Sequence, residues 1–221
     1  MSASYPPLAV KVWGDYAVFT RPEMKVERLT YPVMTPSAAR GILESILWKP
    51  EMAWRVDEIW VLNPVRYFSI LRNEVNSRAS ERAARGWEKS GTGGYDATND
   101  RAQRHTLGLR SVAYVIRAHI ALRPGVEADV AKYRDQFRRR VERGQCFATP
   151  YLGTRECSAS FAPPDGTERP REEINDDLGL MLHDLDYAAD GSGRGTPRFF
   201  KARMDRGILR PPPVPTVPGG A

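Results

Sequence analysis

Only two stretches of this 221-residue chain read as helix, and runs of β-forming residues surround both. The first opens at Thr35, a residue type that caps helices, with Pro36 at the first helical position. Ile42, Leu43, Ile46 and Leu47 then form an apolar stripe, and Pro50 stops the helix. The second runs from Val126 to Arg143. It places Val130, Phe137 and Val141 on one face, Tyr133 and Arg134 at the border, and Gly144 where a C-cap belongs. A strand is expected over Leu8–Phe19, with Gly14 marking a bend. Another is expected over Trp54–Leu71, interrupted at Pro64, and a third over Leu107–Leu122. After the second helix, Cys146–Leu152 is strand-like, and a turn follows at Gly153–Glu156.

That order predicts an α+β fold: an RRM-like (ferredoxin-like) βαββαβ domain over residues 1–160. A β-rich C-terminal extension over 161–210 would follow, with Leu178–Tyr187 and Arg198–Leu209 as a strand pair. Asn73 to Arg104 has no sustained apolar period and contains Ser90-Gly91-Thr92-Gly93-Gly94, which predicts a long mobile loop. The Pro/Gly-rich tail, Pro211–Ala221, is expected to be disordered.

Hydrophobic residues make up 41% of the chain and charged residues 27%, the balance of an ordinary globular protein. No apolar run approaches the roughly 20 residues needed to cross a bilayer. The start lacks a basic segment followed by an apolar one, so no secretory signal is expected. Cys146 and Cys157 do not form a metal-ligand cluster with the three scattered histidines. These features predict a cytoplasmic protein with both cysteines reduced, no metal and no cofactor. The net charge of +6 fits nucleic acid, an anionic membrane surface or an acidic protein partner. Arginine dominates that charge, and its planar fork suits both phosphates and bases.

Four ordered blocks narrow the choice. They are Val12–Arg28; Pro36–Glu44 running into Trp48-Lys49-Pro50; Leu152-Gly153-Thr154-Arg155-Glu156-Cys157; and Arg198–Met204. Together they resemble the CRISPR-associated Cas-five-d family of type I-C systems, from about Val10 to about Leu209. The resemblance implies an RRM-like endoribonuclease of the repeat-associated superfamily. Such a protein cuts CRISPR repeat hairpins in precursor crRNA without a metal and leaves a 2′,3′-cyclic phosphate. It then stays on the crRNA 5′ handle beside the backbone and large subunits of the type I-C Cascade complex, with no membrane partner. A non-catalytic scaffold that caps the same handle is the alternative, and a DNA-binding basic protein is a third reading.

Cleavage through the ribose 2′-OH needs a proton acceptor, a cation for the phosphate charge and a proton for the 5′-oxygen. The resemblance implies a Tyr at the end of the first helix and a Lys-His pair near the start of the second. Here those positions hold Leu47 and Lys132-Tyr133. Lys132 and Tyr133 are therefore the expected catalytic residues, with His105 and His119 as alternatives. His183 is assigned no role. Lys25, Arg28, Lys49 and Arg155 lie within or beside the matched blocks and are the expected RNA contacts. Trp13 and Tyr16 suit either base stacking or the core. Arg138-Arg139-Arg140 suits either a solvated helix end or the RNA backbone.

Overall fold

The computed structural model describes residues 5–24, 26–77, 80–187 and 195–213. One long strand, β5 (Arg101–Leu122), organises the chain. Its apolar alternation buries Tyr114, Ile116, Ala118 and Ile120 on one face. Two antiparallel neighbours flank its C-terminal half: β1 (Leu8–Ala17), with Leu8 opposite Ala118, and β3 (Met52–Val61), with Met52 opposite Leu122. Its N-terminal half pairs with β4 (Tyr67–Val75) and, in parallel, with the two-residue β2 (Arg28–Leu29). Past β1 lies β6 (Ser160–Ala162). Past β3 come β9 (Ile208–Leu209), β8 (Gly195–Asp205) and β7 (Asp177–Tyr187). The main path is therefore β6-β1-β5-β3-β9-β8-β7, antiparallel throughout. The architecture is mixed α and β, dominated by an antiparallel sheet.

Helix α1 (Pro36–Ile46) starts as its sequence predicts. The Thr35 hydroxyl accepts the Ala38 N–H at 3.3 Å. Pro36, Ala39, Ile42, Leu43 and Ile46 turn inward into the shared core, where the helix packs against β3 and β7. Helix α3 (Val130–Glu142) begins four residues later than the periodicity suggests, because the Asp129 carboxylate caps it by accepting the Ala131 N–H at 2.9 Å. Phe137 packs on Trp54 with ring centroids 4.7 Å apart. Each large apolar side chain buried here contributes roughly 1.5–3 kcal/mol. Arg134, expected at the border of this face, is only 2% exposed, its guanidinium 4.9 Å from the centre of the Tyr5 ring.

Two of these segments differ from expectation. Asn73 to Arg104 is not an irregular loop. Strand β4 runs to Val75, α2 (Glu81–Ser90) follows, and β5 begins at Arg101. Main-chain pairing from Arg72 opposite Arg104 to Val75 opposite Arg101 holds the ribbon, and such pairing needs no apolar period. No residue of α2 is buried, so the helix carries no apolar stripe to read; Ser80 and a left-handed Gly91 bound it instead. Cys146–Leu152 is not a strand either. The Phe147 and Ala148 N–H groups both donate to the Ser45 carbonyl at the end of α1, which pulls the segment onto the helix. The pairing with β1 is made further on, by β6. Of the tail, residues 211–213 are described; the rest, like Lys25, lies outside the described residues.

Candidate functional site

Pro50 cannot continue α1, and the chain turns sharply between Leu47 and Met52. Leu47 is fully buried, and its carbonyl accepts the Trp54 indole N–H at 2.8 Å. It anchors the turn and offers no proton chemistry. Trp48 is half exposed, and Lys49 is partly exposed. Glu51 then reaches across to α3, where the Tyr133 hydroxyl donates to its Oε1 at 2.7 Å. The Glu51 carbonyl accepts the Arg123 N–H at 3.0 Å, which fixes the turn to the end of β5. Lys132, one residue before Tyr133, is exposed, its ammonium 5.8 Å from the centre of the Tyr133 ring. Arg140 ties the two helices together by donating to the Ile46 carbonyl at 2.6 Å. Lys49, Glu51, Lys132 and Tyr133 thus meet where α1 ends, α3 begins and β5 stops.

The electrostatics of this cluster assign distinct tasks. The hydrogen bond from Tyr133 holds the Glu51 carboxyl below its ordinary range, and its own N–H, Lys49 and Lys132 act in the same direction. The same bond pushes the Tyr133 phenol up, so at neutral pH it is a hydrogen-bond donor and not a base. What remains is an ionised, partly exposed carboxylate that feels the charge of two ammonium groups.

The other expected residues lie elsewhere. Arg28 pairs with Glu74 at 3.5 Å, and Glu74 also meets Arg104 at 3.7 Å. Arg28 sits opposite Thr106, whereas Met52, beside Glu51, sits opposite Leu122. Sixteen strand residues separate those points, roughly 50 Å if β5 were straight. Arg155 is exposed in the turn whose neighbour Glu156 pairs with Arg72 of β4 at 3.0 Å. Lys49 therefore shares the Lys132 cluster, while Arg28 and Arg155 belong beside the β4–β5 ribbon.

His119 Nδ1 lies 2.6 Å from Asp57, which occupies a bulge in β3, and its Nε2 meets the Tyr5 carbonyl at 3.0 Å. Both ring nitrogens are engaged. His105 is exposed on the ribbon, 3.5 Å from the Ser69 hydroxyl. Trp13 is 38% and Tyr16 53% exposed, so neither is core; Tyr16 packs on Phe68. Of the Arg138–Arg140 run, Arg138 pairs with Asp135 at 3.4 Å. Glu51 escaped the sequence reading because its partner is 82 positions away, and no local pattern marks it. Among the described residues no group of three or more His, Cys, Asp or Glu could hold a metal, and no helix is long and apolar enough to cross a membrane.

Comparison with solved folds gives the class. A structure described as a CRISPR-associated protein superposes with a TM-score of 0.65 at 23% identity, covering 94% of each chain. One described as a CRISPR RNA-guided surveillance complex gives 0.51 at 13% identity, covering 95% of this chain and 91% of the other. Both share this chain's fold. Sequence gives the family. The Cas5d pattern, described as CRISPR-associated protein, matches residues 7–212. A protein of Mannheimia succiniciproducens named CRISPR pre-crRNA endoribonuclease Cas5d is 44% identical over 217 residues, covering 93% of this chain and 95% of that one. The protein of the same name from Thermus thermophilus is 46% identical over 220 residues, covering 93% and 91%. This chain belongs to the Cas5d family.

Proposed function

We propose that this protein is an endoribonuclease that cuts CRISPR repeat hairpins in precursor crRNA. It then remains on the crRNA 5′ handle as a subunit of a type I-C surveillance complex in the cytoplasm. The observation that carries the reading is near-full-length kinship with two proteins named as pre-crRNA endoribonucleases. The finer RRM-like assignment is supported by the order β6-β1-β5-β3, with α1 between β1 and β3 and α3 between β5 and β6. A βαββαβ unit running from β1 to β6 carries the chemistry, and the strands after β6 extend its sheet through β9.

The reaction proceeds through the ribose 2′-OH and needs no metal. Lys132 sets an ammonium where charge builds on the scissile phosphate, and Lys49 contacts the flanking backbone. Tyr133 acts through its hydroxyl, as a donor. Arg28 and Arg155 hold RNA along the β4–β5 ribbon, and Lys25 is a further RNA contact. The scaffold reading draws on one observation: Leu47 is buried and the Tyr133 hydroxyl is already committed to Glu51. Incubating the protein with its cognate repeat RNA in excess EDTA separates the two. A single cut ending in a 2′,3′-cyclic phosphate supports the nuclease; RNA that is bound and left intact supports the scaffold.

A further inference from the structure

The cluster at the end of β5 has two cations and a phenol held as a donor, yet 2′-OH cleavage also requires a group that accepts a proton. Leu47 has none to offer, and the neutral Tyr133 phenol does not accept one at neutral pH. His119 has both ring nitrogens occupied, by Asp57 and by the Tyr5 carbonyl. His105 stands on the ribbon, opposite Leu71 of β4 and far along β5 from Lys132.

We propose that Glu51 is the general base of the cleavage reaction. Three observations carry this. Its Oε1 is fixed by the Tyr133 hydroxyl at 2.7 Å, and the residue stands partly exposed, where RNA can reach it. The turn that carries it is pinned at both ends, by the Trp54 indole on the Leu47 carbonyl and by the Arg123 N–H on its own carbonyl. The charges of Lys49 and Lys132 act on it and offset part of the repulsion that a phosphodiester would meet at a carboxylate. The charged or titratable groups that act on its carboxyl are Lys49 on its own turn and Lys132 and Tyr133 on α3.

The inference rests on the 2′-OH reading given above. In the step, Glu51 Oε2 takes the proton of the 2′-OH and the 2′-oxygen attacks the adjacent phosphorus. The bond from phosphorus to the 5′-oxygen breaks, and that oxygen leaves with a proton from the Lys132 ammonium. The 2′,3′-cyclic phosphate forms, Glu51 releases its proton to solvent, and Lys132 regains one. Tyr133 is a positioning residue: it orients the carboxylate and keeps it ionised.

Glu51→Gln is the test, because the amide oxygen still accepts the Tyr133 hydrogen bond and the turn is kept. With cognate repeat RNA at saturating protein, the single-turnover rate is expected to fall at least ~100-fold, the usual contribution of a positioned base. Repeat binding is expected to be undiminished, since a negative charge has been removed. The wild-type rate falls as pH drops through the Glu51 pKa, below the ordinary carboxylate range, and this acid limb is absent in Glu51→Gln. Tyr133→Phe removes the bond that holds that pKa down, so its acid limb moves to higher pH. A purely structural tether would leave the limb where it is. A Glu51→Gln rate within about tenfold of wild type would overturn the inference. If the wild-type protein leaves the repeat uncut, the endoribonuclease reading falls with it; if the wild type cuts and Glu51→Gln cuts as well, only the inference about Glu51 falls.

Discussion

Gly153 sits at a φ of 89°, with its Cα pressed against the Val18 carbonyl, where any Cβ would collide with that oxygen. The neighbouring Leu152 carbonyl accepts the Val18 N–H at 3.0 Å, so the turn is clamped to the end of β1 and cannot retreat. Gly153→Ala is therefore expected to cost roughly 2–4 kcal/mol, from the left-handed backbone and the overpacking together. Thermal unfolding should show a Tm lowered by roughly 5–15 °C. An unchanged Tm would mean that the turn is looser than its hydrogen bonds indicate. The block Leu152–Cys157 was legible as a family motif, but the reason for its glycine was not, because Val18 is 135 positions earlier. Glu51 is the same case. Lys132 and Leu47 could be found by counting along matched blocks. Nothing near Glu51 announces that a phenol from α3 will meet it.

Elements that bury an apolar face were readable, and the fully exposed α2 and the far end of the β4–β5 ribbon were not. Thr35 and Pro36 give the start of α1, and Pro50 gives its stop. Beyond Leu71, where the expected strand stops, the β4–β5 ribbon offers no such signal: the exposed Val75 looks like a loop residue until Arg72 is found opposite Arg104. The β7–β8 arm was anticipated as a strand pair, but its attachment was hidden. Arg40 of α1 donates to both oxygens of Asp184 on β7, at 2.8 and 2.7 Å, and also meets Glu44 at 2.7 Å. The paired carboxylates push the Arg40 pKa up against the opposing effect of burial, so the guanidinium stays charged. Asp184→Ala removes the bidentate partner across elements and leaves only the pair with Glu44 within the helix. About 1–3 kcal/mol of stability should be lost, with faster amide hydrogen exchange along β7. Unaltered exchange there would show that sheet pairing alone holds the arm.

Across the whole molecule, one strand separates two cationic zones. The β5 C-terminus carries Lys49 and Lys132 beside Glu51, while its N-terminal half carries Arg28 and Arg104 on the ribbon. Net charge alone could say only that an anionic partner was plausible, and the fold distributes that charge into one cluster at the end of β5 and another on the ribbon. The most direct measurement compares wild type with Lys132→Ala on cognate repeat RNA, reading cleavage at saturating protein alongside equilibrium binding. The account predicts a single cut by the wild type, and in Lys132→Ala a rate lower by on the order of a hundredfold with affinity only slightly weakened. A Lys132→Ala protein that cuts at the wild-type rate, or that loses binding and cleavage in equal measure, would contradict it.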